Sequence, residues 1–232
     1  MKKLLALLLV LVMVFSFAAC GRDNDSPDED DIRGEQIDNN ESKDKTSSAS
    51  SEAEFSLGAT TGLTYESKFI GIGCKLDSDW SFYSDEKIKE LNSVTTEVAG
   101  EEYAELMKKA TVVYDMFAAQ SDQLANVNVV LEKVDKDTLK ALDVAENFNK
   151  TIPTLKETFE NMGYSGLTYE VGTVKIDGKE FTCLNTNAEV YGTKMVQKAI
   201  GIKCNGYLAT VTVTAFGEND ADDIINKFYL VK

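Results

Sequence analysis

The chain has 232 residues, 39 acidic against 24 basic side chains, a formal charge of −15 and not one histidine. Such a charge repels phosphate backbones and argues against nucleic acid as a partner. The missing imidazole excludes Ser-His-Asp and Cys-His catalysis, His-ligated zinc and His-based pH sensing, and leaves carboxylate chemistry open.

Lys2 and Lys3 precede an apolar run from Leu4 to Phe17, interrupted only by Ser16. Its 14 residues have the length of a secretory hydrophobic region. They fall short of the roughly 20 that a membrane-spanning helix needs, and Gly21-Arg22-Asp23 closes the run. Phe17-Ala18-Ala19-Cys20-Gly21 resembles the lipobox of bacterial lipoproteins, where small residues precede an obligatory Cys. Phe17 stands where that family commonly has Leu. The resemblance implies a signal peptide over 1–19 and a diacylglycerol on the Cys20 thiol. The mature chain is then expected at the extracytoplasmic face of the cell membrane, held by its acyl chains at about 0.8 kcal/mol per buried CH₂.

Residues 21–55 hold 12 acids and 4 bases and almost no large apolar side chains. Such a stretch cannot bury enough surface to offset its conformational entropy. With Cys20 it reads as a disordered acidic tether over 20–55, with a reach of roughly 30–35 Å by flexible-coil scaling. Residues 56–232 then form a single domain.

Within that domain Lys68 to Leu76 alternates like a strand, and Asp79-Trp80-Ser81-Phe82 reads as a turn carrying two anchoring aromatics. Ser84 is an N-cap for a short helix over Asp85 to Leu91, and a second helix is expected from Glu101 to Lys109, with its acids early and lysines late. Thr111 to Ala118 and Asn126 to Val134 read as strands. A long helical stretch follows to Met162. Phe148, Ile152, Leu155, Phe159 and Met162 mark its buried face, Pro153 predicts a kink or fresh start, and Gly163 predicts its stop.

The last third predicts a four-strand antiparallel meander over Gly172–Ile176, Lys179–Val190, Thr193–Lys203 and Tyr207–Phe216. Asp177-Gly178, Tyr191-Gly192 and Asn205-Gly206 separate these strands. Pairing Val190 with Thr193, and Cys204 with Tyr207, sets Cys183 opposite Ile200 opposite Val211, and one apolar face emerges across three strands. A one-residue slip would destroy it. Four strand residues would separate Cys183 from the position opposite Cys204, roughly 13 Å, too far for a disulfide. Cys74, Cys183 and Cys204 are read as buried apolar residues, with a bridge from Cys74 as the alternative. Asn219 or Asp220 caps a closing helix with Ile224, Ile225 and Phe228 on one face.

No nucleotide-loop, nucleophile-elbow or zinc motif is present. Gly71-Ile72-Gly73 reads as close packing or a bulge. Asp77-Ser78-Asp79 begins like a calcium loop, but Trp80 and Phe82 break the pattern. Asp220, Asp222 and Asp223 are accounted for by helix capping, and Trp80, Phe82 and Tyr83 by core packing. No cofactor or metal is implied.

The order of elements resembles the PsbP-like superfamily over about residues 64–232. The resemblance is carried by the Trp80 turn, the Val127–Val134 strand, Met162-Gly163-Tyr164, and the hairpins before Ile224–Phe228. It implies an α+β fold, an antiparallel sheet with helices packed on it as an α/β/α sandwich, and a binding or accessory role with no shared active site. The expected function is that of a non-enzymatic, membrane-anchored surface lipoprotein binding an envelope protein or an extracellular ligand. The alternative is a carboxylate-based hydrolase of glycans or cell wall. A solute-binding lipoprotein serving a transporter fits less well, because the folded part is small for a two-lobed binder.

Overall fold

The structure is a computed structural model that describes residues 54–95 and 97–231. The signal peptide, Cys20 and nearly all of the acidic tether lie outside the described residues. In chain order the elements are β1 (Ala59–Thr61), β2 (Thr64–Ser67), β3 (Ile72–Lys75), β4 (Trp80–Phe82), α1 (Asp85–Leu91), α2 (Gly100–Lys109), β5 (Val112–Gln120) and β6 (Ala125–Lys133). Then follow α3 (Lys136–Ala141), α4 (Val144–Asn161), β7 (Ser165–Ile176), β8 (Lys179–Val190), β9 (Thr193–Cys204), β10 (Tyr207–Phe216), α5 (Ala221–Ile225) and β11 (Phe228–Leu230).

Seven strands form one antiparallel sheet in the order β4-β5-β6-β10-β9-β8-β7, and four form a smaller sheet, β1-β2-β3-β11. The fold is α+β, as the sequence implies. The meander takes the expected register: Cys183 lies opposite Ile200, and Ile200 opposite Val211. Its first strand is longer than expected, running from Ser165 with a register shift before Thr168. Both residues of the Asp177-Gly178 and Tyr191-Gly192 turns have positive φ, the primed geometry that matches strand twist.

One face of the large sheet carries Val127, Val129, Ile200, Val211 and Val213, and these share a core with Tyr65, Ile72, Cys74 and Phe228 of the small sheet. On the other face α4 packs Phe148 and Leu155 against Leu184 and Ala199. The close approach is set by Gly201, where a Cβ would lie 2.5 Å from Val144 Cγ1.

Several elements differ from the sequence expectation, each for a tertiary reason. Lys68–Leu76 is a strand only over Ile72–Lys75, and the preceding residues turn back, with Gly71 N–H donating to Ser67 C=O at 2.9 Å. Gly73 permits the Tyr229 ring to lie against the backbone, where a Cβ would meet it at 2.7 Å. Trp80–Phe82 is not a turn but an edge strand, paired with Ala118–Gln120. The break expected at Pro153 falls instead at Asp143, whose carboxylate accepts from Ala145 and Glu146 N–H to start α4. The helix runs through Pro153 because Pro153 and Asn149 both lie on its exposed side, where water can take the freed carbonyl. Phe228 leaves the closing helix and pairs with Cys74 as part of β11. Asp220 does cap that helix, accepting from Asp222 N–H at 2.8 Å. Phe55, placed by composition at the end of the tether, stacks on Tyr207 with centroids 5.0 Å apart.

The cysteines Cys74, Cys183 and Cys204 are free, two buried and Cys204 half-buried. Burial pushes each thiol up to about 12. Because the thiolate is the reactive form, iodoacetamide at mildly alkaline pH is expected to leave all three unmodified in the folded protein and to label all three in denaturant. Mass spectrometry of the two samples reads the difference, and rapid labelling of any of them under native conditions would contradict the packing described.

Candidate functional site

β4 pairs with only the last part of β5, and Tyr83 N–H beyond it donates to Phe117 C=O at 2.8 Å, so the edge of β5 from Val112 to Met116 has no strand beside it. The chain leaves that edge because Ser84, two residues past the end of β4, caps α1 through Lys87 N–H. Asn92, at the far end of α1, then stands in for a strand. Its Oδ1 accepts from Tyr114 N–H at 2.8 Å, and its Nδ2 donates to Tyr114 C=O at 2.9 Å. Nδ2 also donates to the Tyr103 hydroxyl at 3.0 Å, tying α1 to α2.

Beside Tyr114 the sheet bulges. Tyr114 lies opposite Val130 and Met116 opposite Val129, which leaves Asp115 unpaired. A bulge bends the strand and re-aims a side chain, and here it turns a carboxylate inward. Asp115 is only 9% exposed. It accepts from Gly58 N–H at 2.9 and 3.1 Å and from the Tyr65 hydroxyl at 2.6 Å. No lysine or arginine pairs with it among the described residues. Burial raises its pKa above the ordinary carboxylate value, and the bonds from Tyr65 and Gly58 pull the other way. Burial, with the Asp115 charge added, also holds the Tyr65 phenol well above its usual range.

Between α1, α2, β5 and the segment Leu57–Thr60 lies a cleft of about 400 Å³. Tyr83, Tyr103, Tyr114 and Phe117 line it with aromatic surface, and Asp115 and Met116 belong to its buried lining. Asp85 and Lys89 add charge to it. The Tyr83 and Tyr114 hydroxyls have no hydrogen-bond partner among the described residues. Two aromatic faces already meet ammonium groups: Lys87 Nζ is 4.8 Å from the Tyr83 ring centroid, and Lys89 Nζ is 5.8 Å from that of Tyr103. Apolar walls with a few convergent polar groups are the usual make-up of a small-ligand site.

The aromatics singled out from the sequence divide. Trp80 and Phe82 are core side chains, as expected, but Tyr83 lines the cleft. Three of the acidic residues considered as cation ligands are engaged elsewhere. Asp77 pairs with Lys227, Asp79 accepts from Gln120 Nε2 at 2.7 Å, and Asp222 pairs with Lys198. No group of three or more acidic or cysteine side chains among the described residues is arranged to hold a metal ion. Sequence reasoning missed Asp115 and Asn92. The signal for Asp115 was there, a lone acid inside the apolar run Val112-Val113-Tyr114-Asp115-Met116-Phe117. Asn92 carries no comparable signal.

No protein-family model matches the sequence, and no curated protein matches it. Among solved structures, the crystal structure of LpqN, involved in cell envelope biogenesis of Mycobacterium tuberculosis, aligns at 12% identity with a TM-score of 0.38. That alignment covers 69% of this chain and 83% of LpqN. A crystal structure from Bacteroides thetaiotaomicron aligns at 14% identity with a TM-score of 0.37 over 75% of this chain. The match covers 50% of the Bacteroides protein, so the chain spans half that protein's length.

Proposed function

We propose that this protein is a non-enzymatic lipoprotein, anchored through Cys20 at the extracytoplasmic face of the membrane, whose domain binds a ligand in the tyrosine-lined cleft beside β5. The observation that carries the reading is the cleft itself, an open strand edge with aromatic walls and a buried carboxylate. The lipobox-like run ending at Cys20 supports the anchor, and the 35 residues 21–55 supply the tether.

A plug tests the binding reading. Ala99 lines the cleft and is exposed, so Ala99→Trp fills the space without disturbing the core. Small solutes that raise the unfolding temperature of the native chain, by the mass action of binding, are expected to lose that effect in Ala99→Trp. A broad solute screen with no stabilising compound would defeat the reading, as would stabilisation that the plug leaves intact. Release of sugar from glycans by the purified chain, abolished by Asp85→Asn, would favour the hydrolase alternative instead.

The anchor has its own prediction. Cys20→Ala is expected to block lipid attachment and cleavage, leaving a precursor larger than the mature form. Metabolic labelling with a fatty acid, followed by electrophoresis, reads both effects, and unchanged labelling and size would refute the assignment.

A further inference from the structure

We propose that the ligand of this cleft is a small organic cation, an alkylammonium group held over the tyrosine faces beside the Asp115 carboxylate. This rests on the cleft being a binding site, and it names the chemistry that site selects. Buried carboxylates are as a rule paired with a cation or a metal. Asp115 is buried and bonded only to two uncharged donors, Gly58 N–H and the Tyr65 hydroxyl. A carboxylate offers about four acceptor sites, and the three contacts to Asp115 leave room for another donor or a neighbouring cation.

The walls point to the same chemistry by a separate route. Aromatic faces attract ammonium groups within about 6 Å of the ring centroid, and Lys87 and Lys89 already occupy such positions over Tyr83 and Tyr103. The protein's own lysines thus show that these rings take cations. The cleft lining carries two carboxylates, Asp85 and Asp115, against Lys89, and Lys87 reaches the Tyr83 ring. The domain around it is acidic, so the overall field favours a positive guest over an anionic one.

Isothermal titration of the full chain in detergent tests this with choline, its neutral carbon isostere 3,3-dimethylbutan-1-ol, and glycerophosphocholine. Choline is expected to bind at least about ten-fold more tightly than the isostere, the upper part of the range for desolvated cation–aromatic contacts. Asp115→Asn, checked by circular dichroism to be folded, is expected to weaken choline at least about ten-fold. Tyr83→Leu and Tyr103→Leu remove the faces and should weaken binding several-fold. Binding of glycerophosphocholine in preference to choline would place the cation on a lipid headgroup, and the reverse on a free alkylammonium solute, with both supporting the class. Equal affinity for choline and its isostere overturns the cationic class while the cleft stands. Absence of binding by every probe, together with failure of the solute screen, overturns the cleft as well.

Discussion

Asp115→Ala is expected to lower the free energy of unfolding by roughly 2–4 kcal/mol, because it leaves the buried Tyr65 hydroxyl and the half-buried Gly58 N–H without their acceptor. The Tyr65 hydroxyl and Gly58 N–H both bond to this one side chain, and Tyr65 is fully buried, so water does not replace the lost partner. The effect extends beyond one contact. Gly58 lies flat on the Tyr65 ring, where any Cβ would clash with Cε2. The carboxylate thus clamps the entering segment, the first strands and β5 together at one point.

The substitution also has a pH signature. Burial raises the Asp115 pKa from its ordinary 3.8. A carboxyl whose folded pKa is raised contributes stability that is fully present below the unfolded value and is lost as pH rises through the folded value. The difference between native and Asp115→Ala chains should therefore be largest below about pH 4 and decline as pH climbs through the raised value. Urea unfolding at a series of pH values reads this. A difference that grows with pH would show that Asp115 is stabilised as the anion, contrary to the burial described.

Phe159→Ala is expected to destabilise the domain by about 3–5 kcal/mol, the range for deleting a fully buried aromatic. Phe159 is completely inaccessible and meets Tyr164 edge-on, with centroids 5.1 Å apart. Its cluster joins α4 to β8, β9 and β10 through Ala188, Val190, Met195 and Phe216. Truncation opens a cavity between helix and sheet, and strands on one side and a helix on the other resist its collapse. For a protein of this size that corresponds to a fall of roughly 6–20 °C in unfolding temperature. Exposed Glu157, on the same helix, serves as the control; Glu157→Ala should stay within about 0.5 kcal/mol of native. A loss below about 1 kcal/mol in Phe159→Ala, short of any buried-aromatic deletion, would mean that α4 is not packed as described.

What the sequence determined by itself is local and periodic. Positive-φ turns at Asp177-Gly178 and Tyr191-Gly192 place the hairpins. Alternation then sets the register that brings Cys183, Ile200 and Val211 onto one face, because a slip by one residue would expose every apolar side chain of that face. The helix cap at Ser84, a cap at Asn219 or Asp220 that the structure assigns to Asp220, and the face of α4 running through Phe148, Leu155 and Phe159 follow from rules spanning four residues or fewer. The α+β class follows from these pieces.

Only the tertiary structure decided the second sheet and the cleft. β1, β2 and β11 are short, of three or four residues, and hold too few alternations to be told from turns or a helix end. Their partners are distant, so that Phe228 pairs with Cys74. The Asp115 clamp joins residues 57 and 50 positions apart, and it exists because a bulge rotates one side chain out of the strand's alternation. Tyr83, Tyr103 and Tyr114 become neighbours of that carboxylate because β4 ends early and two helices fill the open edge. Periodicity records which face a residue takes within its own element; which elements meet, and what they enclose, depends on contacts whose closing entropy and packing no local pattern contains.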